Sequence, residues 1–108
     1  MNEYLVVMCT FPTIEEADSV SGEIINKHLA ACANRIDRVQ SIFHWQGAVE
    51  QEAETLVIFK THKNRWTELE KTITTLHSYD EPEIIAMPIV AGSASYLQWI
   101  KKETGEPS

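Results

Sequence analysis

The stretch "YLVVMCTFPTIEE" (Tyr4–Glu16) decides how the chain begins to fold. Its first eight residues carry no charge and are rich in strand formers, which reads as a strand buried on both faces. Pro12 stops that strand. Thr13, followed three residues later by Glu16, makes a capping box in which the hydroxyl takes the N3 amide and the carboxylate returns to the cap amide. Ile14, Ala17, Val20, Ile24 and Ile25 then recur at helical spacing to about Lys27.

A second strand runs from about Ala33 to Trp45, interrupted early by Arg35, Asp37 and Arg38, and "WQGAVEQ" after it holds a glycine turn. "ETLVIFKTH" (54–62) is the third strand. Asn64 is expected to cap a second helix with Trp66, Leu69, Ile73 and Leu76 on one face. "LHSYDEPEII" (76–85) leads into "EIIAMPIVA" (83–91), the fourth strand, where Pro88 demands an edge position or a bulge. Gly92 and Ser93 open a last helix carrying Tyr96, Leu97, Trp99 and Ile100. "KKETGEPS" (101–108) reads as a fraying end, with the ordered core over about 4–102 and the tail at 103–108.

The order β-α-β-β-α-β plus a terminal helix makes one α+β domain over 1–108, a ferredoxin-like sandwich with an added helix. "VMCT" (7–10) and "IFKT" (58–61), 51 residues apart, are a faint internal echo of its two halves. The expected sheet order is 4-1-3-2, with the first and third strands parallel. On that reading Cys9 and Thr10 lie beside Glu83. Lys60, Thr61 and the Cys32–Asn34 segment share the same edge, and the loop bearing His77 and Tyr79 feeds into it.

Nine basic against sixteen acidic residues give a net charge of −7, which repels phosphate backbones and excludes nucleic acid as the expected partner. No segment approaches the roughly 20 apolar residues of a membrane span. The start, "MNEYLVVMCTF", reads as a first strand rather than a signal peptide, so the cytoplasm is the expected compartment, with Cys9 and Cys32 unpaired.

The strand from about Ile36 to Trp45 spans ~33 Å at ~3.3 Å per residue, whereas a helix from Ile14 to Lys27 covers only ~21 Å. The overhanging hairpin tip, with Phe43, Trp45 and Val49, is then an exposed apolar edge that needs a cover, and a partner subunit supplies one economically.

A thiol, an imidazole and a carboxylate together are a donor set for copper or zinc. Each residue also has a plainer reading: His77 as a helix C-terminal residue on the dipole, Cys9 and Cys32 as small core residues, Tyr79 and Glu83 as loop-ordering groups, Lys60 as a solvated or paired ammonium, and Trp45 as an interface anchor. The Glu50, Glu52, Glu54 run reads as a solvated face from which Glu54 turns inward. Catalysis finds less support. Cys9 sits in an apolar run, which raises a thiol pKa, and the chain holds no GxSxG, no Walker-type loop and no Gly-rich phosphate cradle.

"KHLAACAN", "SIFHWQGAVEQEAE", "LVIFKT", "HSYDEPEIIAMPI" and "SYLQWI" closely resemble, in this order and spacing, the CutA divalent-cation tolerance family over about residues 4–100. The resemblance implies a homotrimer in which long hairpins and terminal helices join neighbouring sheets, and an architecture similar to that of PII signalling proteins. It implies a non-enzymatic protein that binds copper(II) or other divalent cations, with ligands at Cys9 and His77 and Glu83 as a third. Cys32, Asn34, Trp45, Glu54, Lys60 and Tyr79 are expected to line the intersubunit cleft. A PII-like trimer that binds a small ligand or a partner segment there is the alternative. Some members carry two adjacent histidines where this chain has Leu76 and His77, and proline is usual where it has Ser78. The first change removes a ligand; the second is expected to loosen the loop.

Overall fold

The computed structural model describes residues 3–105. Strand β1 (Tyr4–Phe11) is followed by helix α1 (Ile14–Asn26), β2 (Cys32–Trp45), β3 (Ala48–His62), α2 (Trp66–Leu76), β4 (Ile84–Pro88) and α3 (Ala94–Thr104), with a short 3-10 turn at Lys63–Arg65. The sheet order is β2-β3-β1-β4, which puts Pro88 on an edge strand as the missing N–H requires.

Thr13 caps α1 by accepting the Glu16 amide at 3.1 Å. The other half of the expected box is diverted. The Glu16 carboxylate reaches the Ser78 amide instead, at 2.9 Å. Nor does Asn64 cap α2: His62 caps the 3-10 turn before it, accepting the Asn64 amide on Nδ1, and Arg65 precedes α2 without a side-chain cap. The expected tail is also corrected in part. Lys101–Thr104 form the last turn of α3, and Thr104 is fully buried, its carbonyl accepting from Arg65 Nε at 2.8 Å. Residues 106–108 of that expected tail lie outside the described residues.

Gln46 and Gly47 both have positive φ (49° and 82°). A two-residue hairpin loop needs this backbone to match the strand twist. The strands it joins are longer than expected, since β3 starts at Ala48 rather than Glu54. A bulge between Ile36 and Val39, with Arg38 at φ 61°, marks the interruption anticipated in β2.

The expected parallel pairing of the first and third strands does not occur. β1 runs antiparallel to β3, with Val7 opposite Phe59 and Cys9 opposite Val57, and antiparallel to β4, with Cys9 opposite Ile84. The α1 crossover makes β2 parallel to β1, and the tight hairpin then reverses β3 against both.

One face of the sheet packs under α1 and α2 in a core of Val7, Cys9, Phe11, Val57, Phe59, Ile24, Leu69 and Ile73. Because side chains alternate along a strand, Lys60 and its partner Cys32 turn to the opposite face. There α3 packs on β3, so it covers that end of the second face and buries Ile100. The hairpin runs beyond all three helices: Ile42 is 69% exposed, Val49 66% and Trp45 51%. No helix among the described residues is long and apolar enough to cross a membrane.

Candidate functional site

The end of β1, the start of β4, the loop after α2 and the hairpin arms meet at one corner of the molecule. His77, the C-cap of α2, organises it. Its amide closes the helix on Ile73 O at 2.8 Å. Its ring, buried to 8% exposure, stacks on Phe11 with centroids 4.6 Å apart and planes 14° from parallel. Nε2 lies 2.7 Å from the Thr10 carbonyl, and a carbonyl only accepts, so Nε2 carries the proton. Nδ1 accepts the Tyr79 amide at 3.0 Å. One tautomer is thereby fixed and both ring nitrogens are engaged.

The adjoining loop is tied down on both sides. Ser78 donates its amide to Glu16, a bond that the usual proline would lack for want of an N–H. That bond offsets part of the backbone freedom gained where proline is replaced. Leu76 faces away, beside Lys27 and Lys71 on the helical side. Tyr79 packs its ring 4.8 Å from that of His77 and donates its hydroxyl to Glu54 Oε2 at 2.9 Å. Burial, then the Glu54 hydrogen bond and charge, push the Tyr79 hydroxyl well above its ordinary pKa.

Below this loop lies a cleft of about 1070 Å³, walled by Phe43, Trp45 and Tyr79 and floored by Thr10. Five glutamates line it: Glu50, Glu52 and Glu54 from β3, and Glu81 and Glu83 from the loop before β4. No lysine or arginine lines it, and among the described residues none of the five makes an ion pair. Glu54 turns inward as the sequence reading anticipated and is 8% exposed.

Trp45, Glu54, Tyr79 and Glu83 therefore meet at the cleft. Lys60, Cys32 and Asn34 do not. With β3 antiparallel to β1, Lys60 lies three residues beyond Val57, the partner of Cys9, or ~10 Å along the strand. It belongs to a separate cluster in which Lys60 Nζ and Cys32 Sγ both donate to Asn34 Oδ1. The reading of the sequence also missed Phe11 and Thr10, which hold His77, and Glu16, which holds Ser78. An alternation of glutamates along β3 was visible, but not the cleft it faces.

The expected donor pair does not fit a metal ion. Cys9 is fully buried among core side chains, and its thiol is pushed up to about 12 by burial and by the Glu83, Glu16 and Glu54 charges, whereas a metal needs the thiolate. His77 has no free lone pair to offer. Among the described residues no group of three His, Cys, Asp or Glu side chains gathers to hold a metal ion.

The model of the CutA1 divalent ion tolerance protein family matches residues 5–103. The chain belongs to the CutA family. Among CutA relatives, the divalent-cation tolerance protein CutA of Thermus thermophilus is 37% identical over 93% of this chain and 97% of its own length. The chloroplastic CutA 1 of Oryza sativa subsp. japonica is 39% identical over 94% of this chain. This chain spans 58% of that rice protein's length and 55% of the chloroplastic CutA of Arabidopsis thaliana. The crystal structure of CutA1 from Oryza sativa superposes with a TM-score of 0.94 at 38% identity, covering 97% of this chain and 96% of its own. The periplasmic divalent cation tolerance protein CutA of Archaeoglobus fulgidus does so with 0.92 at 32%, covering 94% and 99%. These CutA proteins are named for tolerance to divalent cations and not for a reaction.

Proposed function

We propose that this chain acts in divalent-cation tolerance as a non-enzymatic homotrimer, and that the acidic, aromatic-walled cleft is the surface that meets its ligand. The observation that carries this reading is the convergence of five glutamates without a single paired cation. Such a corner concentrates positive ligands. Copper(II), the candidate ion, is better offered the cleft-lining carboxylates of Glu54 and Glu83 than Cys9, whose thiol is buried and protonated, or His77, whose ring nitrogens are both engaged. The trimer is supported by the bare hairpin tip, whose Ile42, Trp45 and Val49 are an association surface in need of a cover.

A copper(II) titration against a chelator of known affinity, run beside light scattering, tests both parts. The expected result is a mass of three chains, with copper affinity weakened by Glu54→Gln and Glu83→Gln and unchanged by Cys9→Ser. A monodisperse monomer at micromolar concentration refutes the assembly. Copper held only while Cys9 and His77 are intact refutes the placement. The PII-like alternative, a cleft that takes a small organic ligand, is favoured by the cleft's size, since about 1070 Å³ far exceeds the needs of one ion.

A further inference from the structure

Cys32 opens β2 and stands directly opposite Lys60 of β3. Directly paired residues put their side chains on one face of the sheet, with Cβ atoms ~4.5–5.5 Å apart. The thiol and the ammonium also share a target. Cys32 Sγ donates to Asn34 Oδ1 at 3.5 Å, and Lys60 Nζ donates to the same oxygen. One amide oxygen therefore holds a sulfur and an amine nitrogen side by side. Neither group lines the cleft, and neither lies at the hairpin tip: β2 is 14 residues long, which puts Trp45 ~40 Å away at ~3.3 Å per residue.

The two cysteines differ in what they can do. Cys9 is enclosed on the core face of the sheet. Cys32 is half-buried and stands on the opposite face with Lys60, so an oxidised Cys32 cannot be resolved by Cys9 as a disulfide within the chain. The nucleophile set beside it is an amine. Hydrogen peroxide takes a thiol to the sulfenic acid, with water as the other product, and leaves the sulfur electrophilic. The Lys60 ammonium gives one proton to solvent, and its nitrogen attacks that sulfur. The N–S bond forms, the S–O bond breaks, and the hydroxyl leaves as water with a second hydrogen from the nitrogen. Sulfenic acids make the same bond to backbone nitrogens. Two equivalents of an external thiol, oxidised to their disulfide, return free Cys32 and free Lys60.

We propose that Cys32 and Lys60 form a peroxide-responsive thiol–amine switch, in which Lys60 Nζ captures oxidised Cys32 as a reversible cross-strand sulfenamide. Capture removes the Lys60 charge and shields the sulfur from the irreversible sulfinic step.

The test is peptide mapping of the full chain after brief hydrogen peroxide treatment in chelator, alkylation of the remaining thiols and non-reducing tryptic digestion. The expected product joins residues 28–35 to residues 39–63 through an uncut Lys60. It is lighter than the two peptides together by two hydrogens, comes from a chain that still runs as a monomer on a denaturing gel, and is separated by dithiothreitol. Lys60→Arg keeps a cation beside Asn34 and should abolish the link, leaving Cys32 to proceed to the sulfinic acid. Peroxide added in denaturant, where the strands no longer pair, should give no link. Wild-type Cys32 recovered only as sulfenic or sulfinic acid, joined to a lysine other than Lys60, or joined as readily in the unfolded chain overturns the proposal.

Discussion

Replacing His77 by alanine separates a structural imidazole from a metal-binding one. The substitution removes the hydrogen bond to the Thr10 carbonyl (2.7 Å) and the acceptor of the Tyr79 amide (3.0 Å), at about 1 kcal/mol each. It also removes the stack on Phe11 at 4.6 Å, about 0.5–1.5 kcal/mol beyond area burial. The expected destabilisation is therefore about 3 kcal/mol, large against the ~5–15 kcal/mol of a typical domain. Denaturant unfolding followed by circular dichroism, at one fixed chain concentration because subunit association shifts apparent stability, measures it. The Tyr79 loop should loosen too, exposing Tyr79 and weakening its bond to Glu54. A loss below ~0.5 kcal/mol would show that the ring's contacts contribute little. Stability held while copper affinity collapses would make His77 a ligand and reverse our assignment.

Four further outcomes follow from the same geometry. Cys9 should resist thiol-specific alkylation in the native state at pH 8 while half-buried Cys32 reacts, as mass spectrometry of the labelled chain would show. Because the Cys9 thiol is raised in the folded state from its ordinary 9.0 to about 12, the unfolded chain loses this proton first, so Cys9's contribution to stability is intact below pH 9 and declines as pH rises towards 12; Cys9→Ala should flatten that decline in denaturation curves taken across the range. Thr13→Ala deletes the cap on the Glu16 amide and should cost about 1 kcal/mol of unfolding free energy. Arg65→Ala removes the Nε bond to the Thr104 carbonyl, a charged hydrogen bond of about 2 kcal/mol, and amide exchange should speed up selectively in the last turns of α3.

The order of elements, the Thr13 cap, the edge placement of Pro88 and the hairpin overhang were all readable in the sequence, because each depends on residues within a turn or two of one another. Period-2 and period-3.6 patterns report which face of an element is buried, and Pro and Gly report where the backbone must break. The direction in which β3 returns past β1 has no such local signal, and mistaking it placed Lys60, Cys32 and Asn34 at the wrong end of the sheet. The fate of His77 was hidden for the same reason. Its ring is claimed by Thr10, 67 residues earlier, and no spacing rule couples the two. Glu50, Glu52 and Glu54 read as a solvated face because alternation shows only that they share a side. That this side is a cleft with Tyr79 leaning across it was decided by tertiary packing, which brings a loop from beyond α2 over a strand from before it and sets the Tyr79 hydroxyl on the buried Glu54.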